Sequence, residues 1–115
     1  MAKLLSVVET PAYLSKATRM MSEAERAAIV DMIAETPRLG VLVRGTGGLR
    51  KMRIPLQGRG KRGGGRVIYW FHAEEYPAVL LWAFAKNEAS DLTHEQRSRL
   101  VTVADALLND FGGRR

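Results

Sequence analysis

The residues best equipped for chemistry fall within residues 41–72, VLVRGTGGLRKMRIPLQGRGKRGGGRVIYWFH. Arg44, Arg50, Lys51, Arg53, Arg59, Lys61, Arg62 and Arg66 stand there with no Asp or Glu between them. Residues 1–40 carry five basic and five acidic side chains, and residues 73–115 carry five basic and seven acidic ones. The net charge of +6 therefore originates in this one block. A cationic block between near-neutral flanks marks a surface for phosphates, through either affinity or reaction at a phosphodiester.

Other chemistries fit poorly. Gly58, Gly60 and Gly63 match the letters GxGxxG, but a dinucleotide fingerprint follows a strand and opens a helix, whereas a strand follows here. Nor is this a phosphate-binding loop of the Walker type, because Arg62 follows Gly60-Lys61 where a magnesium-binding Ser or Thr is required. The better reading is a glycine-rich clamp in which Arg59, Lys61 and Arg62 hold a polynucleotide backbone. His72 and His94 have no ligand partner at helical or strand spacing, and the chain has no cysteine, so no metal site is expected. The two imidazoles could form an acid/base pair; the simpler reading is a strand-end residue and an exposed residue in a first helical turn. No GxSxG elbow occurs. Tyr69, Trp70, Phe71 and Trp82 could stack bases beside the cations, although alternation along a strand commits most of them to a core.

Elements that would position these groups can be read in order. Residues 4–8 suggest a first strand. Thr10-Pro11 suggests an N-cap and first turn, with Tyr13, Leu14, Ala17 and Met21 along one helical face. Ser22 and Glu25 have capping-box spacing, and the helix they open, with Ala28, Ile29, Met32 and Ile33 on its apolar face, must end before Pro37. Residues 49–54 alternate, so that Lys51 and Arg53 project together with Leu49, and Arg50, Met52 and Ile54 project to the other side. Residues 66–72 carry bulky groups on both faces and read as a central strand. Ala78 to Ala85 is nearly all apolar and delivers Lys86 to a sheet rim on the parity of Leu80, Trp82 and Phe84. The segment from Lys86 to Asp91 reads as a polar lead into a last helix, with acidic residues near the positive dipole end. Thr93 and Gln96 repeat the capping-box spacing, and Leu100, Val103, Ala104 and Leu107 form the apolar stripe. Residues 112–115 read as a frayed tail.

With 46% apolar and 26% charged residues in 115, the composition is that of one soluble domain, residues 1–115. Absence of cysteine fits a reducing cytoplasm. No apolar run approaches the roughly 18 residues of a membrane span, and the first residues lack a signal-peptide core.

The blocks GTGGLRKMR, GRGKRGGGRVIYWFH and FAKNEASDLT together resemble the HigB-like branch of the RelE/ParE superfamily of toxins from type II toxin-antitoxin pairs. The resemblance runs from about Val8 to Leu108. It implies an α+β fold, βααβββα, with two N-terminal helices packed on a twisted, mainly antiparallel sheet of about four strands and a C-terminal helix. It also implies ribosome-dependent, metal-independent cleavage of mRNA through the 2′-hydroxyl, no cofactor, and a helix-turn-helix (HigA-like) antitoxin as partner. On this resemblance Lys51, Arg53, Arg66 and Lys86 are the catalytic positions. Arg50, Arg59, Lys61, Arg62, Tyr69 and Asn87 are the further RNA contacts, and Asn87 stands where relatives carry arginine. A gyrase-directed ParE-like toxin and a non-catalytic RNA- or DNA-binding module are the alternatives.

Overall fold

The computed structural model describes residues 4–56 and 64–113. The expected clamp residues Arg59, Lys61 and Arg62, with Gly58, Gly60 and Gly63, lie outside them. Chain order is β1 (Val7–Glu9), α1 (Pro11–Met20), α2 (Glu23–Glu35), β2 (Val41–Leu42), β3 (Leu49–Ile54), β4 (Gly65–Trp70), β5 (Ala78–Ala85) and α3 (His94–Leu108), followed by one wide helical turn, Asn109–Gly113. The strands form one mixed sheet in the order β1-β5-β4-β3-β2. Among the described residues, only β1 is parallel to its neighbour.

Local signals set most of these boundaries. The Thr10 Oγ1 accepts the Tyr13 N–H at 3.2 Å and donates to the Leu80 carbonyl at 2.7 Å, so one side chain caps α1 and ties it to β5. Ser22 with Glu25 and Thr93 with Gln96 both close complete capping boxes. Two strand expectations shift at the sheet edges. The first strand begins at Val7 rather than Leu4, because the Leu5 N–H is taken by the Ala34 carbonyl at the end of α2. A fifth strand, β2, joins the edge of β3; two residues are too few to show alternation in a sequence.

The sheet is packed on both faces. On one face α1 and α2 bury Tyr13, Ala17, Ile29 and Ile33 against Met52, Ile54, Val67, Tyr69, Leu80 and Ala83. On the other, α3 sets Leu100 and Ala104 against Leu49, Ile68, Trp70, Val79, Leu81 and Phe84. Val103 of the expected stripe is instead exposed. A bulge divides β5: Ile68 pairs with Trp82 and Tyr69 with Leu80, which leaves Leu81 without a register partner. Leu80 thus faces the helical hairpin, and only Trp82 and Phe84 share the α3 face, correcting the parity expected along this run. Past the bulge the alternation still carries Lys86 to the α3 side.

The chain's end is held by rings. Phe111 stacks on Trp70 at 6.1 Å, Trp70 on His72 at 6.1 Å, and His72 on Tyr76 at 5.8 Å. Gly112 and Gly113 close the helical turn Asn109–Gly113, where a tail was expected, and residues 114 and 115 lie outside the described part. No helix among the described residues is long and apolar enough to cross a membrane.

Candidate nucleic-acid interface

The α3 face of β3 changes character along its length: Leu49 is buried under α3, Lys51 is half-buried, and Arg53 is exposed. Arg53 lies directly opposite Arg66 in the β3–β4 ladder. Arg66 in turn lies opposite Phe84 of β5, and its Nη1 donates to the Gly65 carbonyl at 3.0 Å. Gly64 sets the approach to β4. Its φ is +63°, and a Cβ there would clash with the Ile54 carbonyl oxygen, so the backbone closes this tightly only with glycine. The Lys86 N–H donates to the Gly64 carbonyl at 3.0 Å, which brings the end of β5 against the start of β4.

The lysines meet on one loop. Lys86 Nζ donates to the Ser90 carbonyl at 2.7 Å, and Lys51 Nζ donates to Asp91 Oδ1 at 3.1 Å. Burial pushes the Asp91 carboxyl up, but the Leu92 N–H, the Lys51 ammonium and the charge of Lys86 outweigh it, leaving its pKa below the usual carboxylate value. Lys51 and Arg53 of β3, Arg66 of β4 and Lys86 in the turn just past β5 thus lie toward one end of one sheet face. Asn87 is exposed in the turn beside Lys86.

Two expected RNA contacts belong elsewhere. Tyr69 faces the helical hairpin and is fully buried; its hydroxyl donates to the Pro37 carbonyl and accepts the Gly40 N–H, both at 2.8 Å. A ring buried in this way has no face left for a base. Burial pushes its phenol up, against the Gly40 bond and the Arg50 charge. Arg50 shares that face, and its Nη1 donates to the carbonyls of Gly40 at 2.7 Å and Arg38 at 3.3 Å. Both side chains fasten residues 37–40, and so β2, to the sheet. His72 stands six residues past Arg66, roughly 20 Å away at about 3.3 Å per residue; among the described residues no three His, Asp or Glu side chains group to hold a metal ion.

Sequence reasoning picks out Lys86 to Asp91 as a polar segment but not the contact of Asp91 with Lys51. Asp91 stands forty residues from Lys51, and its position before a helix offered a sufficient explanation by itself. The only signal was an acid closely following Lys86.

A helical hairpin, a mixed sheet and a covering C-terminal helix, with cations at one sheet end, define a RelE-like α+β protein. An arginine-to-alanine double mutant of the Escherichia coli toxin RelE in its free state is similar with a TM-score of 0.58 over 84% of this chain and 96% of that one. At 12% identity this likeness speaks to the fold. Residues 14–111 match the family described as "RelE toxin of RelE / RelB toxin-antitoxin system", and the chain belongs to that family. Membership makes it a translation-inhibiting toxin with an antitoxin partner, in a family of mRNA-cleaving ribonucleases.

Proposed function

We propose that this toxin is a ribosome-dependent mRNA endonuclease of the HigB-like branch, carried by one RelE-like domain over residues 1–115. It acts in the cytoplasm and is neutralised by a HigA-like helix-turn-helix antitoxin. The observation that carries the reading is the convergence of Lys51, Arg53, Arg66 and Lys86. Arg53 and Arg66 lie directly across an antiparallel pair, so that one anion can lie over both.

Cleavage by the 2′-hydroxyl needs a base for its proton, positive charge on the pentacoordinate phosphate, and an acid for the leaving 5′-oxygen. Arg66 and Arg53 supply the charge without a metal. Lys51 and Lys86 flank them as the proton-handling pair, and Asn87 beside Lys86 can donate a hydrogen bond but no proton. Arg59, Lys61 and Arg62 supply further phosphate contacts from the glycine-rich segment. A constellation without a tuned histidine is a slow catalyst by itself and relies on a host that holds the substrate in line. The ribosomal A site is such a host.

The test is expression without the antitoxin, followed by mapping of RNA 5′ ends. New ends inside codons of translated messages are expected, and they disappear in an Arg66→Ala, Lys86→Ala double variant. Arrest with intact messages and damaged DNA indicates a gyrase poison instead, and no arrest indicates a mere binder.

A further inference from the structure

The lysines proposed to meet the RNA are both engaged before any RNA arrives. Lys86 Nζ is bonded to the Ser90 carbonyl, and Lys51 Nζ to the carboxylate of the next residue, Asp91. One Asp91 oxygen collects two donors, the Lys51 ammonium at 3.1 Å and the Leu92 N–H at 2.8 Å, the kind of pair that a bound phosphate oxygen would collect. Helix capping does not explain the carboxylate, because Thr93 and Gln96 complete that box without it.

We propose that Asp91 is a specificity-determining residue that occupies the phosphate position on Lys51, so that an RNA phosphate must displace it. This rests on reading the cationic sheet end as an RNA site. The pair is open to solvent, the Asp91 side chain being 58% exposed and that of Lys51 33%, and an exposed pair of this kind is weak. A phosphate held in register over Arg53 and Arg66 can therefore take Lys51 from Asp91. Free RNA, which must order itself at the same time, is repelled by the carboxylate and gains less. Asp91 thereby favours RNA that a host presents already in place.

The test measures binding of a 5′-labelled, fully 2′-O-methylated single-stranded RNA, which cannot be cleaved by this route. The proteins are the wild type, Asp91→Asn, Asp91→Ala, Lys51→Ala and Asp91→Asn with Lys51→Ala. Both Asp91 variants are expected to bind about three- to tenfold more tightly at low salt, with the logarithmic salt slope steeper by roughly 0.7, one extra phosphate contact. The gain should vanish when Lys51 is absent. Unchanged or weaker binding, a gain that survives Lys51→Ala, or binding by none of the proteins overturns the proposal. Tighter binding with no cleavage on ribosomes keeps it and rejects the nuclease reading; cleavage without tighter binding does the reverse.

Discussion

Arg50 and Lys51 are neighbours on β3, yet they work on opposite sides of the sheet. On the hairpin side, the Arg50 guanidinium and the Tyr69 hydroxyl are bonded to backbone groups of residues 37–40 and fix the fold. On the α3 side, Lys51 and Arg53 emerge from beneath the helix, Arg53 lies directly opposite Arg66, and Lys51 and Lys86 both act on Asp91. Strand parity alone thus separates a cation that builds the protein from one that is available to a ligand. Composition cannot make that distinction, since both kinds add equally to the net charge.

Substitutions on the two sides should separate along the same line. The largest effect belongs to the α3 side: Arg66→Ala with Lys86→Ala should lower ribosomal mRNA cleavage by about 10²- to 10³-fold, the scale for losing preorganised charge. Its melting temperature should stay near that of the wild type, and a large fall would place these side chains among the builders. Gly64→Ala combines a left-handed backbone with a clash at the Ile54 carbonyl and should cost on the order of 2 kcal/mol or more in chemical denaturation. On the hairpin side, Arg50→Met and Tyr69→Phe should each cost about 1–3 kcal/mol by leaving backbone groups of residues 37–40 without partners. RNA affinity should change little in either.

The smallest effect at neutral pH concerns Tyr13, whose buried hydroxyl has no hydrogen-bond partner among the described residues. Burial first, then the Glu9 charge, raises its pKa to about 12, against a lowering by Arg26. Because the folded value exceeds the unfolded value of 10.0, the phenol's contribution is fully present below pH 10 and is lost as pH rises towards 12. Tyr13→Phe should be neutral or slightly stabilising at pH 7 and should flatten that alkaline loss, on the order of 2 kcal/mol. Denaturation midpoints between pH 8 and 12 check both statements.

Local patterns made much of this legible. Caps at Thr10, Ser22 and Thr93, the alternation of β3 and the bulk on both faces of β4 each follow from residues within one turn or one strand. What escaped depends on distant partners. Tyr69 could not be assigned from β4 alone, because its hydroxyl is claimed by residues 37–40. Arg50 carries the same charge as Lys51, and only the far side of the sheet reveals its carbonyl partners. The bulge at Leu81 reflects how β5 pairs with β4, and the contact between Lys51 and Asp91 joins positions forty residues apart. Strand alternation by itself places Lys51, Arg53 and Arg66 on the α3 face, toward the sheet end that Lys86 borders.

The most direct measurement uses ribosomes programmed with a message whose A-site codon is either all-ribose or carries a single 2′-deoxy sugar at the cleavage position. The purified toxin should cut the first within that codon and leave the second intact, with the cut lost in the Arg66→Ala, Lys86→Ala variant. Equal cutting of both messages, or cutting that persists without those two side chains, would contradict attack by the 2′-hydroxyl at the cationic end of the sheet.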